Sequence, residues 1–148
     1  MSTRDERTLV LLKPDTLRRR VCGEILSRFE RAGLLLVDIR KTRFTRTILA
    51  RHYGELKAKN PAAYKRNVPY LAGREAVALI LQGPNAVAKA RALAGPTDPL
   101  VATPGTIRGD FSSDSIFFAD SEDRGLENLV HAADSVTSAR REIRIWFP

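Results

Sequence analysis

The chain has 148 residues, enough for one domain with a single hydrophobic core, and its net charge is +8. The apolar run near its N-terminus, residues 9–12, is too short for a signal peptide or a membrane-spanning helix. Its single cysteine, Cys22, excludes an internal disulfide framework and fits a reducing compartment. We therefore expect one domain over residues 1–148 in the cytoplasm, with an anionic partner such as nucleic acid, a phosphorylated metabolite or a membrane surface.

The first third of the chain predicts a strand, a helix and a second strand. Residues 1–6 are predicted to be a loose tail, and residues 8–12 form a buried strand that ends at Lys13. Lys13 is then either a solvated strand end or a charged group directed into a site. A helix over residues 21–32 ends at a glycine, and a strand over residues 34–44 follows it.

The middle of the chain predicts helices before a central strand. Thr45 or Thr47 caps one helix. A less regular helix follows over residues 60–71, and the apolar run at residues 76–81 predicts a strand in the centre of a sheet. In the helix capped by Thr45 or Thr47, the helical spacing predicts that five side chains face the core: Ile48, Leu49, His52, Tyr53 and Leu56.

A helix and a long polar stretch precede the last strand. Asn85 caps the helix, and Arg91 lies on or beside the apolar face that Val87, Ala90 and Ala94 define. Residues 96–111 predict a long loop, which in a compact domain is usually functional. In residues 112–127, the run Ile116-Phe117-Phe118 is predicted to pack as a turn, and the acidic remainder is predicted to be exposed.

His131 is one of two histidines, and it follows two apolar residues, as at the end of a short buried strand. The next helix places Glu142 on the same face as Val136, Ala139, Ile143 and Trp146. Because a buried charge without a partner is costly, we predict that Glu142 pairs with His131. The pair fixes the tautomer of the ring and leaves one nitrogen free to attack an electrophilic phosphorus atom.

The order of the predicted elements indicates the fold class. Strand–helix–strand followed by strand–helix–strand–helix makes an α/β protein, specifically an α+β sandwich with helices on the faces of a small sheet. The ferredoxin-like βαββαβ arrangement, with a four-stranded antiparallel sheet, fits this order best.

Several familiar site motifs are absent from the sequence. It contains no Gly-x-x-x-x-Gly-Lys-Ser/Thr loop, no Gly-x-Gly-x-x-Gly loop and no nucleophile elbow, and its two histidines and one cysteine do not make a usual zinc site. What remains near His131 is a set of cations and hydroxyls: Lys13, Arg91, Thr97 and Arg108. This inventory suits phosphoryl transfer, and a basic binding module is the alternative that the residues leave open.

Six segments in the same order resemble the nucleoside diphosphate kinase family over residues 7–147. They are residues 7–15, 23–33, 95–99, 104–111, 128–135 and 139–143. The resemblance implies a ping-pong reaction in which a nucleoside triphosphate, typically ATP, phosphorylates His131 and a nucleoside diphosphate then takes the phosphate.

The resemblance also implies the roles of individual residues. Lys13, Arg91, Thr97 and Arg108 hold the phosphates, and Asn128 contacts the sugar. Glu142 orients His131, and Tyr53 lies beside the site. Magnesium (Mg²⁺) is held mainly by the substrate phosphates, as its preference for phosphate and water oxygens indicates.

The chain departs from the family pattern in three places. It reads His-Ala-Ala-Asp at residues 131–134, so the serine hydroxyl expected at Ala133, which supports the orienting acid, is missing. We predict that activity is kept, because the nucleophile, its orienter and the phosphate-binding cations remain. Residues 112–127 are longer than the common form. Ala62 and Ala63 stand near the place of the aromatic pair that covers the base in the family, and Tyr64 is the residue expected to stack on the base instead.

Assembly and two alternative functions complete the expectations. The resemblance implies a homo-oligomer, more often a hexamer than a tetramer. A basic nucleic-acid-binding module is one alternative, prompted by the charge and by the run Arg18-Arg19-Arg20, but no recognition helix or RNA-binding aromatic motif supports it. A regulatory homo-oligomer with weakened kinase activity is the other.

Overall fold

A computed structural model describes residues 5–148, which form a four-stranded antiparallel sheet with helices on both faces. The strands are β1 (Asp5–Leu12), β2 (Leu35–Arg43), β3 (Glu75–Pro84) and β4 (Val130–Ala132). Their order is β2-β3-β1-β4, so β3 and β1 are central and the other two are edges. This is the order of the ferredoxin-like βαββαβ fold, and the prediction is confirmed.

Helices connect the strands, and those that the sequence predicted have bounds within a few residues of the observed ones, whereas the short helices Pro14–Arg18, Ile107–Phe111 and Ile116–Ser121 were not predicted as helices. The helices within residues 5–148 are α1 (Pro14–Arg18), α2 (Cys22–Arg31), α3 (Arg46–His52), α4 (Gly54–Lys59), α5 (Pro61–Leu71), α6 (Ala86–Ala94), α7 (Ile107–Phe111), α8 (Ile116–Ser121) and α9 (Val136–Trp146), with a 3₁₀ turn at Pro99–Val101. Among these residues, no helix has both the length and the apolar character needed to cross a bilayer.

Strand β1 divides the hydrophobic core into two halves because its side chains alternate between the faces of the sheet. Val10 and Leu12 pack with Phe29 of α2, on the face that α6 also covers. Leu9 and Leu11 pack on the opposite face with α3 and α9, where Trp146 is buried. Helix α9 thus packs against β1, the neighbour of the edge strand that carries His131, and this places the predicted histidine and acid on one face of the sheet.

Several local predictions from the sequence are wrong. Asp5 and Glu6 belong to β1 rather than to a loose tail, and residues 1–4 lie outside the described residues. Asn85 adopts a left-handed conformation with φ of 52° and makes no side-chain cap. The carboxylate of Glu6 instead accepts the Val87 N–H at 3.2 Å, because β1 pairs with β3 directly beside the start of α6.

The two long polar stretches are more regular than predicted. Residues 96–111 contain the 3₁₀ turn and α7, where the Thr106 side chain caps α7 by accepting from the Gly109 N–H. The run Ile116-Phe117-Phe118 forms the first turn of α8 and is exposed, with Phe117 at 82%. Ser115 caps this helix, so local capping chemistry has decided its conformation although its apolar side chains find little to bury against.

Candidate active site

His131 lies on the edge strand β4, directly opposite Leu11 of β1. Because paired residues share a face of the sheet, its ring extends toward α3 and α9, where Leu11 packs. Strand β4 is only three residues long, since Ser135 caps α9 by accepting a hydrogen bond from the Ser138 N–H at 3.0 Å. The short strand and capped helix together set the histidine beside the following helix.

The predicted pairing of His131 with Glu142 is present. Both carboxylate oxygens of Glu142 lie 3.1 Å from Nε2 of His131. A carboxylate can only accept here, so Nε2 carries the ring proton and Nδ1 keeps its lone pair. The guanidinium of Arg141 lies 3.8 Å from a Glu142 oxygen and gives this buried acid a second partner. Ala133 is fully buried beside Ala139 and offers the acid no hydroxyl.

His52 is a site residue that the sequence reading missed. It was predicted to be an ordinary inward residue of a helix face, yet its ring contacts the ring of His131 edge-to-face at 4.6 Å. Nδ1 of His52 accepts the indole N–H of Trp146 at 3.1 Å, which puts the remaining proton on Nε2. Burial, and then the neighbouring His131 and Arg141, hold the pKa of His52 well below its ordinary value, so this ring stays neutral.

Lys13 is directed into the cleft rather than into solvent, which decides between the two alternatives left open by its position. It is buried at the end of β1, and its ammonium group donates to Oδ1 of Asn128 at 2.8 Å and to the carbonyl of Leu126 at 3.1 Å. Burial lowers the pKa of Lys13 to about 8, Asp15 opposes that effect, and Arg108 adds to it. Lys13 is therefore positively charged at neutral pH, although its pKa lies only slightly above that pH.

Arg108 is the most firmly held cation of the cleft. It is buried, and three of its N–H groups donate to main-chain carbonyls, those of Gly95 at 2.7 Å, Val130 at 2.6 Å and Asn128 at 3.1 Å. Burial, and then the charge of Arg91, lower its pKa to about 10, which leaves it positive at neutral pH. A guanidinium has five N–H donors, so two remain for a ligand.

Arg91 reaches the cleft from the rim rather than from a buried helix face. The residue is exposed beside the apolar face that Val87, Ala90 and Ala94 form, which agrees with its predicted place on or beside that face. Its Nη1 donates to the carbonyl of Ala132 at 3.3 Å. The rim position leaves the rest of the guanidinium able to meet a ligand.

The remaining predicted residues fall into two groups. Thr97, Asn128 and Tyr53 line the cleft, and the amide nitrogen of Asn128 donates to the carbonyl of Thr97 at 2.9 Å. Burial, and then the charge of Glu142, raise the pKa of Tyr53, so its hydroxyl keeps its proton. Tyr64 is not among the lining residues; it lies on α5, where the ammonium group of Lys57 is 5.7 Å from its ring centroid.

One cleft of about 410 Å³ therefore brings together every predicted site residue except Tyr64. It presents the ring of His131, with Nε2 held by Glu142, in the same cleft as the three predicted cations, of which Lys13 and Arg108 are buried. Such a cleft can bind a polyanion and stabilise charge that develops on transferred phosphoryl oxygens. Within residues 5–148, His52, His131 and Glu142 form a group whose ligand atoms lie within 4.8 Å of one another, and Asp134 is a further lining carboxylate.

The model of the nucleoside diphosphate kinase family matches residues 6–148. The chain belongs to the nucleoside diphosphate kinase family. Its activity is the transfer of the terminal phosphate of a nucleoside triphosphate to a nucleoside diphosphate.

Individual relatives agree with the family. The chain is 44% identical over 144 residues to a nucleoside diphosphate kinase of Mycobacterium avium, covering 97% of both chains. It is 44% identical over 142 residues to nucleoside diphosphate kinase 3 of Homo sapiens, covering 96% of this chain and 77% of the human one. A structure of the Borrelia burgdorferi kinase with bound vanadate and ADP, described as a transition-state mimic, matches with a TM-score of 0.95 at 31% identity, covering 99% of this chain and 89% of that one.

The pH dependence of this nucleoside diphosphate kinase should report the charge of Lys13. As pH rises above about 8, the amine of Lys13 loses its proton, its attraction for phosphate is lost, and kcat/KM should fall about tenfold per pH unit. Steady-state rates between pH 6.5 and 9.5 measure this decline. A Lys13→Arg variant stays charged throughout that range, so its rates, lower overall, should show no decline from pH 8. The same decline in both proteins would assign it to another group.

Gly109 holds the turn of the kinase that positions its neighbour Arg108. A Cβ atom built on Gly109 would overlap the carbonyl oxygen of Thr103 and lie 2.8 Å from Oγ1 of Thr106. We expect Gly109→Ala to lower the free energy of unfolding by about 1–3 kcal/mol and to reduce activity through Arg108. Gly23→Ala in α2 is the control, since nothing lies within 4 Å of its Cβ position, and it should be neutral or stabilising in chemical denaturation.

Proposed function

We propose that His131 is the phosphate carrier of a ping-pong reaction. The lone pair of Nδ1 attacks the γ-phosphorus of a nucleoside triphosphate, an N–P bond forms, and the bond to the leaving diphosphate oxygen breaks. A terminal oxygen of a second nucleoside diphosphate then attacks the same phosphorus, and the N–P bond breaks. The observation that carries the proposal is the pair of 3.1 Å contacts from Glu142 to Nε2, which leave Nδ1 as the nitrogen with a free lone pair.

The cations of the cleft have complementary roles in this reaction. Arg108, fixed by three carbonyls, and Lys13, fixed by Asn128 and Leu126, are placed before the substrate binds, so little reorganisation is needed as charge develops. Arg91 at the exposed rim and the hydroxyl of Thr97 complete the contacts to the phosphates. The protonated hydroxyl of Tyr53 is a donor for the phosphoryl group.

In this proposal Asn128 contacts the sugar of the nucleotide. The amide of Asn128 is already held between Lys13 and Thr97, so the nucleotide meets an oriented side chain. Stacking of the base on Tyr64 stays a prediction, since that ring lies outside the cleft lining.

Nucleoside diphosphate kinases use a divalent cation, and we propose that Mg²⁺ fills this role here. The cluster of two imidazoles and one acid around His131 does not suit Mg²⁺, which prefers oxygen ligands. Burial keeps His52 neutral. Its Nδ1 accepts the N–H of Trp146 and its Nε2 carries the ring proton, so neither nitrogen is free to bind a metal ion. The ion would therefore be held mainly by substrate phosphates, and Asp134 is one lining acid that could bind a water of the ion. When bound, Mg²⁺ would neutralise part of the negative charge of the substrate phosphates.

We further propose that the chain forms one domain over residues 1–148 and assembles as a homo-oligomer, for which the family resemblance favours a hexamer over a tetramer. Strand β2 is an edge of the sheet with exposed apolar side chains, Leu35 at 61% and Ile39 at 49%. An exposed apolar edge strand invites pairing with another chain. Cysteine usage supports a cytoplasmic location, which stays a prediction.

Initial rates with ATP and a second nucleoside diphosphate as varied substrates test the proposal. A covalent carrier requires parallel lines in double-reciprocal plots, because the first product leaves before the second substrate binds. Intersecting lines would mean direct transfer between two bound nucleotides and would contradict the role of His131. Steady product formation also separates the kinase from the alternatives, a nucleic-acid-binding module or a regulatory oligomer with weakened activity.

A further inference from the structure

Residues 112–127 form a segment that is bound to α5 at two places and is closed on itself by an internal ion pair. Its Asp120 carboxylate pairs with Arg66 of α5 at 3.0 Å, and its Asp114 carboxylate forms two hydrogen bonds with Arg124 at 2.8 and 3.0 Å. Gly125 packs so closely on α5 that a Cβ there would lie 2.8 Å from the ring of Tyr70. The segment is therefore an ordered part of the fold, joined to α5 and running directly into the site residue Asn128.

Glu127, the last residue of this segment, has a partner for each of its polar groups. Its N–H donates to Asp114 at 2.9 Å, and its carbonyl accepts from the Ser112 hydroxyl at 2.9 Å. One carboxylate oxygen accepts from the hydroxyl of Tyr70 on α5 at 2.5 Å, and the other pairs with Arg18 at the end of α1. Four contacts thus fix the main chain and the side chain of Glu127 at once.

The two residues on either side of Glu127 are the acceptors of the Lys13 ammonium group. The carbonyl of Leu126 accepts at 3.1 Å, and Oδ1 of Asn128 accepts at 2.8 Å. The Leu126 N–H is itself held by Asn67 of α5 at 3.2 Å. The position of the ammonium group therefore depends on the tripeptide 126–128, and the central residue of that tripeptide is anchored to α1 and α5.

The geometry points to Glu127 as a positioning residue for the kinase reaction, which holds tripeptide 126–128 so that its acceptors fix the ammonium group of Lys13 in the cleft. This inference rests on the proposed phosphate-binding role of Lys13 and extends it to a residue outside the cleft. The expectation that the acidic remainder of residues 112–127 is merely an exposed surface is wrong for Glu127 and Asp114, which are part-buried and bonded.

The charges around Lys13 point in the same direction. Asp15 of α1 favours the charged ammonium form and Arg108 of α7 disfavours it, while Glu127 and Asp114 of the segment both favour it. Burial outweighs these effects and holds the pKa of Lys13 at about 8. Removing the charge of Glu127 takes away one of the favouring carboxylates, so the lysine should lose its proton at a lower pH.

A Glu127→Gln variant tests the inference, because it keeps the shape of the side chain and removes its charge. We expect kcat/KM for ATP at pH 7.5 to fall about three- to tenfold, and the alkaline decline to begin about half a pH unit lower than in the wild type. Glu122→Gln is the matched control, since Glu122 belongs to the same segment and loses the same charge but pairs with Arg124 instead. Its kcat/KM and its pH profile should match the wild type.

Tyr70→Phe is the second variant, which removes one hydroxyl donor to Glu127 while keeping every charge and should lower kcat/KM in the same direction. A purely structural role would lower the melting temperature of Glu127→Gln and leave the alkaline decline at the wild-type pH, and that result would overturn the inference.

A Lys13→Gln variant separates the inference about Glu127 from the proposed phosphate-binding role of Lys13. If it lowers kcat/KM strongly while Glu127→Gln leaves the pH profile unchanged, only this inference fails. If Lys13→Gln has little effect, the proposed role of Lys13 fails as well.

Discussion

A His131→Gln variant should lose phosphotransfer from ATP to GDP by a factor of about 10⁴ or more while keeping its fold. Glutamine has no nitrogen lone pair able to attack phosphorus, so no covalent intermediate can form. The ring is part-exposed at the edge of the sheet rather than in either half of the core, and its loss removes little buried surface. Turnover in a coupled assay and thermal unfolding followed by circular dichroism measure the two effects separately.

The second histidine provides the matched control for this experiment. The rings of His52 and His131 are 4.6 Å apart, but His52 has one nitrogen bonded to Trp146 and the other protonated. A His52→Gln variant should therefore become slower and less stable but still turn over. Retained turnover in His131→Gln together with complete loss in His52→Gln would assign the nucleophile to His52 instead.

Replacing Arg108 by methionine should have the second largest effect, because it damages both binding and folding. Three main-chain carbonyls lose their donor, and a positive charge leaves the cleft. We expect kcat/KM to fall by a factor of about 10² or more. We also expect the free energy of unfolding to fall by about 2–4 kcal/mol, since hydrogen bonds from charged donors to buried carbonyls are stronger than neutral ones.

Arg108→Lys separates charge from geometry in this prediction. Lysine keeps a positive charge but cannot donate to three carbonyls in the fixed directions of a guanidinium. It should recover only part of the lost activity and part of the lost stability, measured by urea denaturation and steady-state rates. If Arg108→Lys behaved as the wild type, the three carbonyl contacts would have no role in positioning the cation.

The features that sequence predicted well are those that a single local pattern determines. The apolar run at residues 8–12 predicted a buried strand, which β1 contains, and an acid on the inward face of α9 required a partner. That partner is His131, as predicted. Even in α9 the predicted face was imperfect, because Val136 is exposed at the first turn and Ile145, not predicted, is buried. The buried face of α9 is thus rotated by part of a turn about the helix axis from the predicted face.

The features that sequence missed depend on contacts between distant segments. Nothing local marks His52 as a site residue, since its place is set by Trp146, which lies 94 residues along the chain. The role of Glu127 likewise depends on Arg18 and Tyr70, and a run of acidic residues looks the same whether it is solvated or bonded. The local pattern at Lys13 is likewise compatible with a solvated strand end or with a charged group directed into a site, and its contact with Asn128 identifies the second.

Ala133 remains the departure with the clearest consequence for catalysis. The prediction that activity is kept stays a prediction, and its physical support is that Glu142 already lies against Nε2 of His131 and has Arg141 within 3.8 Å. These two contacts are the reason why we expect the orienting acid to keep its place without a serine hydroxyl at position 133.

The most direct measurement is the site of phosphate attachment after the purified protein is mixed with ATP and Mg²⁺ in the absence of a nucleoside diphosphate. We predict about one acid-labile, alkali-stable phosphate for each chain, located by mass spectrometry on the peptide that contains His131, and released as a nucleoside triphosphate when GDP is added. Phosphate on any other residue, or rapid transfer to GDP without a labelled protein, would contradict the account.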